Sequence, residues 1–206
     1  MNLAKRGRGI RPGRNEIESV NQPVVVEKGV PLKEAVALLH LDKKPVLARI
    51  DGELVGLGAP IRQAGPIHLV FPDTDEALDF LRHSASHLLA HAVLELFPGT
   101  EVGIGPAVEN GFYYDFLRET PFTPQDLEAI EKKMRELASQ NIPIEKRIYP
   151  KEEAVRLFEK LGQKLKVELV LEKGGDIVST YGQGPFFDFC LGPHVPSTGY
   201  LQNVKL

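Results

Sequence analysis

The stretch from Pro72 to Gly99, PDTDEALDFLRHSASHLLAHAVLELFPG, decides how this chain is read. It predicts a long helix over about Asp75 to Phe97. Asp73 or Thr74 can cap the start, and Pro98-Gly99 stops it. At about 100° per residue the main apolar stripe is Leu78, Leu81, Ala85, Leu88, Ala92 and Leu96. His83, His87 and His91 lie roughly opposite that stripe, which alone would describe a solvated face. Phe80, Ala90 and Leu94 share the histidines' sector, however, so both sides read as covered. The expected picture is a helix between a core and a partly apolar pocket.

Downstream, Thr123 as N-cap, Pro124 at the first helical position and Asp126 three residues on predict a second helix. A third is expected from about Lys151 to Leu161, ending at Gly162. Strands are expected at Val102–Ile104, Gly111–Phe116, Ile142–Tyr149, Leu165–Leu171, Ile177–Thr180 and Phe186–Cys190. Upstream, a compact block runs from about Gln22 to Phe71. Strand candidates there are Val24–Val26, Val46–Ile50, Leu54–Leu57 and Ile67–Phe71. The turn dipeptide Asp51-Gly52 joins the middle pair, and one helix starts near Pro31. The chain therefore reads as α+β throughout, with a boundary near Pro72 and separate cores on either side. The three segments are a basic arm expected to be disordered, 1–20, the first block, 21–72, and the second block, 73–206.

The 206 residues are 42% hydrophobic and 26% charged, which excludes a largely disordered chain. No apolar run reaches the length of a membrane-spanning helix, and the N-terminus has no signal-peptide core. A single cysteine, Cys190, excludes an internal disulfide framework and fits a reducing, cytoplasmic compartment. The net charge of -3 is unevenly distributed. Lys5, Arg6, Arg8, Arg11 and Arg14 make a basic, glycine-interspersed arm, which leaves 20 basic and 28 acidic residues, or -8, in the rest. The arm is expected to be disordered, and any contact with RNA must use local basic patches.

Two spaced pairs carry the chemistry. His83 and His87 stand at i and i+4 on one helix face, and Cys190-Leu191-Gly192-Pro193-His194 repeats that spacing near the chain's end. His83, His87, Cys190 and His194 together have the ligand types of a zinc site. Four ligands at once would close the tetrahedron and describe a structural ion; catalysis by metal-bound water needs an open position. The metal-free alternative has a histidine, which titrates near neutrality, activating water. Asp188, two residues before Cys190, projects to the same side if extended and could orient a histidine or a substrate amine. Tyr113 and Tyr114 alternate faces, so one can pack inside while the other presents its hydroxyl. Lys164 and Lys166 share a side of their expected strand and could meet a phosphate or an oxyanion. Gly103-Ile104-Gly105 lacks the rest of a dinucleotide fingerprint.

The motifs His83-Ser84-x-x-His87-Leu88-Leu89-Ala90-His91-Ala92, Gly105-Pro106, Asn110-Gly111-Phe112-Tyr113-Tyr114-Asp115 and Asp188-x-Cys190-x-Gly192-Pro193-His194 resemble the editing domain of the bacterial threonyl-tRNA synthetase family. That domain is related to the editing domain of alanyl-tRNA synthetase. The upstream block, with Ala48-Arg49-Ile50-Asp51-Gly52-Glu53-Leu54-Val55, resembles the family's small ubiquitin-like (TGS, β-grasp) module. The resemblance spans about Gln22 to Leu206 and leaves the basic arm outside.

It implies hydrolysis of seryl-tRNA mischarged on the tRNA for threonine, at a site formed by His83, His87, Cys190 and His194. Lys166 would stand beside the ester, His83 or Lys166 would help position and activate the water, Asp188 would bind the amino acid, and Tyr114 would hold the terminal adenosine. Serine and threonine differ by one methyl, so a binding pocket alone discriminates by only about 1–3 kcal/mol and a second, hydrolytic site is needed. The related alanyl domains bind zinc through the four positions; the resemblance does not require it here. The family's class II core, which binds ATP, threonine and a catalytic zinc, would follow Leu206. The segment is thus expected to be an N-terminal piece that does not charge tRNA, of an enzyme that is typically a homodimer. Two other readings are a free-standing hydrolase for another mischarged tRNA, and a tRNA-binding appendage without activity.

Overall fold

In a computed structural model of the chain, the structure describes residues 14–18, 23–27, 29, 31–39, 41–61 and 66–206. Most of the basic arm and His40 lie outside the described residues.

The first block is a five-stranded sheet with one short helix. Its elements are β1 (Arg14–Glu18), β2 (Pro23–Glu27), α1 (Leu32–Ala37), β3 (Leu47–Ile50), β4 (Glu53–Gly56) and β5 (Pro66–Val70). The strand order is β2-β1-β5-β3-β4; β1 and β5 run parallel and the other neighbours antiparallel. Asp51 and Gly52 turn the β3–β4 hairpin with φ of 51° and 85°, the two positive angles that a tight two-residue hairpin requires. β1 corrects the sequence reading, because Arg14–Glu18 falls inside the segment expected to be disordered. The sequence Arg-Asn-Glu-Ile-Glu has no apolar run to announce a strand; pairing on both sides supplies the order.

The period of two along this sheet splits its side chains between two cores. Ala48, Ile50, Val55, Ile67 and Leu69 face α1, around Leu32, Ala35, Leu57 and Ile61. Leu47, Leu54 and Val70 face the other way and join the core of the second block. The expectation of separate cores on either side of Pro72 therefore fails. The sheet has two apolar faces and α1 covers only one. The junction is further tied by ion pairs Lys43–Asp73 and Arg49–Glu76, and by the Tyr200 hydroxyl donating to Pro45 O at 3.2 Å.

The second block is organised around α2 (Asp75–Leu96), whose residues 84–93 are all buried. Thr74 caps it by accepting from Ala77 N–H. The short strands β6 (Glu101–Val102), β7 (Ala107–Val108), β8 (Gly111–Phe112) and β9 (Phe116–Leu117) follow, so the expected Gly111–Phe116 strand is broken in two. α3 (Pro124–Ser139) carries the full Thr123/Asp126 capping box and packs on α2. β10 (Ile144–Pro150), α4 (Lys151–Lys160), α5 (Lys164–Lys173), β11 (Ile177–Gln183) and β12 (Phe186–Phe189) complete the block. The three long strands form an antiparallel sheet, β10-β11-β12. Val178, Phe187 and Phe189 on one face of this sheet pack on Ala154, Phe158 and Val170 of α4 and α5. The opposite face meets α2.

α5 is the second correction, since residues 165–171 were expected to be a strand. Leu165, Val167, Leu169 and Leu171 do alternate with Lys166 and Glu168. The buried positions, though, are Gln163, Lys166 and Val170, a helical spacing. A lysine at the innermost position hid the helical period from a reading based on apolar residues.

Candidate active site

The mid-portion of α2 and the loop after β12 bring the two spaced pairs together. The ligand-type atoms of His83, His87, Cys190 and His194 all lie within 4.8 Å of one another. His83 Nε2 is 3.1 Å from Cys190 Sγ, and His194 Nε2 is 3.3 Å from the same sulfur. The His194 ring centroid lies 4.5 Å from that of His83 and 4.3 Å from that of His87.

Local chemistry fixes this geometry. Ser84 Oγ accepts Val195 N–H at 3.1 Å and lies 3.1 Å from His194 Nδ1, which holds the loop against the helix. Gly192 adopts φ +68°, and a Cβ there would lie 2.1 Å from the Tyr181 hydroxyl, so only glycine lets the loop pass. On the other side, Gly105 O sits 3.2 Å from His83 Nδ1 and accepts from Ser86 Oγ at 2.6 Å. A Cβ on Gly105 would collide with the Tyr114 ring at 2.1 Å.

Beside the histidines stands a second cluster. Lys166, only 1% exposed, donates to the Tyr114 hydroxyl at 2.9 Å and pairs with Asp188. The Tyr114 hydroxyl donates to the other Asp188 oxygen, which lies 3.7 Å from His87 Nε2. Of the two tyrosines, Tyr114 is thus the buried one and Tyr113 the exposed one. Lys166 and Lys164 sit on a helix, not a strand, and Lys164 points to solvent. His91, one turn beyond His87, does not join the group. It stacks on Phe186 and lies 3.3 Å from Gln183 Nε2 and 3.1 Å from a Glu95 oxygen.

Burial sets the protonation states. It holds His83 below the ordinary histidine range and His87 and His194 well below it; the neighbouring imidazoles add to the effect on the latter two, as does Lys166 on His87. Burial pushes the Cys190 thiol up to about 12. The Tyr114 hydroxyl is raised well above 10, by burial first and by Asp188 next. At neutral pH the pocket therefore holds neutral imidazoles and a protonated thiol next to a buried ion pair.

The donor set also fits a metal ion. Imidazole and, once deprotonated, thiolate are zinc ligands, and the 3.1 and 3.3 Å separations approach the edge of a zinc tetrahedron, about 3.6 Å. The Gly105 carbonyl on His83 Nδ1 is the outer partner that a ligating histidine ordinarily has.

Sequence reasoning passed over Ser84, Ser86, Gly105, Tyr181 and Gln183. Ser84 stands in the quoted motif and Ser86 between the two histidines, with no role assigned to either. Gly105 was visible as part of Gly103-x-Gly105 but carried no assigned role. Nothing local marks Tyr181 or Gln183, whose donation to His87 O at 3.1 Å spans almost a hundred residues.

Residues 178–206, which contain β12 and the Cys190–His194 loop, match the threonyl and alanyl tRNA synthetase second additional domain. The strand and loop that carry Asp188, Cys190 and His194 are thus similar to a domain shared by threonyl and alanyl tRNA synthetases. Among curated proteins, the chain is 49% identical over 166 residues to a threonine–tRNA ligase from Geobacter sp. (strain M21), covering 81% of this chain and 26% of the relative. It is 49% identical over 167 residues to that of Aromatoleum aromaticum, with the same coverage. A third, from Coxiella burnetii, is 49% identical over 165 residues, 79% of this chain and 25% of the relative. The chain is similar to threonine–tRNA ligases and fits an N-terminal portion of such an enzyme. It spans about a quarter of the length of the curated relatives it matches. Among the described residues no helix is long and apolar enough to cross a membrane.

Proposed function

We propose that this chain hydrolyses the ester of seryl-tRNA mischarged on the tRNA for threonine, in the cytoplasm, as the proofreading segment of a threonine–tRNA ligase. The observation that carries the reading is the junction of two clusters in one pocket: neutral imidazoles able to take a proton, and a buried Lys166–Asp188–Tyr114 group able to bind charge.

His83 is the base. Its Nδ1–H donates to Gly105 O, which leaves the Nε2 lone pair facing the pocket. The thiol proton of Cys190 can serve only one of the two Nε2 atoms beside it. Water adds to the ester carbonyl and gives a proton to His83 Nε2. The bond from the carbonyl carbon to the ribose oxygen then breaks, and that proton passes to the leaving ribose hydroxyl, which yields serine and tRNA. The Lys166 ammonium offsets the negative charge that develops on the carbonyl oxygen. Asp188 receives the serine ammonium, and Tyr114 positions the terminal adenosine. His87, Cys190 and His194 line the pocket. If zinc binds, these four residues would hold it, and the ion would supply Lewis-acid chemistry there.

In the same reading, the first block is a β-grasp (TGS) module. The mixed order β2-β1-β5-β3-β4 with a parallel central pair, crossed by α1, supports this. ATP binding, threonine binding and the homodimer belong to the remainder of the ligase.

The test is serine release from purified seryl-tRNA. His83→Ala should slow it by about a hundredfold or more with a smaller change in KM. Unchanged release by the variant removes His83 as the base. A chelator should leave the rate of the unaltered chain intact; stoichiometric zinc with chelator-sensitive release would assign water activation to the ion instead.

A further inference from the structure

Ser84 is completely buried on α2, next to His83, and takes no part in the reaction above. Among the described residues its hydroxyl has two hydrogen-bond neighbours, Val195 N–H and His194 Nδ1, each at 3.1 Å. A backbone N–H can only donate, so the Ser84 oxygen accepts from Val195. The Ser84 proton then needs an acceptor of its own, since a buried hydroxyl left without one is costly. His194 Nδ1 is that acceptor, and it must be bare.

The far end of the group is fixed in the same way. Gly105 O can only accept, so His83 carries its proton on Nδ1 and is bare at Nε2. Between the imidazoles stands the Cys190 sulfur, 3.1 Å from His83 Nε2 and 3.3 Å from His194 Nε2. Its thiol is protonated at neutral pH, and His83 Nε2 is the bare nitrogen that can receive that proton. His194, uncharged and bare at Nδ1, has its own proton on Nε2 and donates it to the sulfur. Donation therefore runs one way through five links: Val195 to Ser84, Ser84 to His194, His194 to Cys190, Cys190 to His83, and His83 to Gly105 O. The other His194 tautomer breaks this chain twice. It leaves the Ser84 proton without an acceptor, and it sets a bare Nε2 against a sulfur whose proton is already given. The rings of His83, His87 and Tyr181, with centroids 4.5, 4.3 and 4.5 Å away, confine the His194 ring in this orientation.

We infer that Ser84 is a positioning residue, which holds His194 as a hydrogen-bond donor beside the acceptor His83. Two chemically identical side chains thus receive opposite tasks from their partners. His83 Nε2 takes the proton of water. The His194 Nε2–H, whose sulfur partner is a weak acceptor, turns to an oxygen of the ester when substrate is present. This use of the donor rests on the hydrolase reading above; the tautomer does not.

The experiment uses the whole chain, isotope-labelled on nitrogen and kept in chelator at neutral pH without substrate. Long-range proton–nitrogen NMR spectra distinguish a ring nitrogen that carries a proton from a bare one. His83 should appear as the Nδ1–H form and His194 as the Nε2–H form. Ser84→Ala should turn the His194 signal into a mixture of both forms. It should also slow serine release from seryl-tRNA roughly tenfold with KM nearly unchanged, the order expected for one lost hydrogen bond. Ser86→Ala removes a hydroxyl that bonds Gly105 O and not His194, so it should leave the His194 signal as it is. The same tautomer at both histidines of the unaltered chain overturns the inference, and that measurement decides even where Ser84→Ala fails to fold. An unchanged His194 form in Ser84→Ala also overturns it, since any loss of rate is then merely structural. So does a changed form with an unchanged rate, because the donor is then idle. Serine release by the unaltered chain reports on the hydrolase reading and its tautomers report on Ser84, so either can fail alone.

Discussion

The pocket has two halves that solve the burial of polar groups in opposite ways. His87 and His194 are buried, and His83 and Cys190 partly buried, in their uncharged forms. Lys166 and Asp188 are buried as an ion pair, with Tyr114 bonded to both. An uncharged imidazole needs only hydrogen-bond partners, and Gly105 O and Ser84 Oγ supply them. A buried ammonium needs its counter-charge, since desolvation costs several kcal/mol per ion. The first half should therefore tolerate loss of a member and respond to pH or metal. The second should fail as a unit.

The largest effect is expected in the charged half. Asp188→Ala leaves the Lys166 ammonium buried without its counter-ion and should cost about 3–5 kcal/mol of unfolding free energy in urea titrations. Adding Lys166→Met should restore a large part of that loss, because the uncompensated charge goes with it. A double variant no more stable than Asp188→Ala would show that the residues contribute independently and would break the comparison.

The neutral half predicts a pH dependence. In protein kept in chelator, the folded state holds His87 and His194 well below the ordinary histidine range, chiefly by burial, and the unfolded chain does not. Between those folded values and the unfolded value near 6.5, the unfolded chain binds more protons. Stability is then fully present above about pH 6.5 and is lost as pH falls. With two such groups, the slope between pH 6 and 5 should exceed the roughly 1.4 kcal/mol per pH unit of a single proton. A flat profile over that range would mean that the imidazoles are not held neutral.

The two halves also differ in how far the sequence discloses them. The i, i+4 spacing of His83 with His87, and of Cys190 with His194, puts each pair on one local element, so their chemistry is visible in a short window. The α2 and α3 boundaries are legible for the same reason: Thr74, Thr123 and Asp126 act within three residues of themselves. Lys166, Tyr114 and Asp188 come from α5, the segment before β9, and β12. The residues alone offer Asp188 by its place two before Cys190, but only the family resemblance selects Tyr114 over Tyr113 and Lys166 over Lys164, and the lysine itself disguised α5 as a strand. β1 stayed hidden because its order derives from parallel pairing with β5, about fifty residues away. The shared core across Pro72 was likewise a matter of which sheet face α1 leaves open, and no local pattern states that.

The smallest effect is expected for Cys190→Ser in the absence of metal. The thiol is protonated at neutral pH, and it is only partly buried. It interacts with its surroundings through weak sulfur hydrogen bonds to Gly192 N–H, His83 and His194. A hydroxyl of similar size can replace these, so the change in unfolding free energy should stay below about 1 kcal/mol. Zinc separates the two proteins. An ion that binds only the folded chain raises stability by about 2.7 kcal/mol at a hundred times its Kd. Thermal unfolding of the unaltered chain should therefore shift upward with added zinc, while that of Cys190→Ser should shift much less, since serine is a poor zinc ligand. Equal shifts in both would place the ion elsewhere. A large loss of stability in metal-free Cys190→Ser would mean that the neutral half is as interdependent as the charged one.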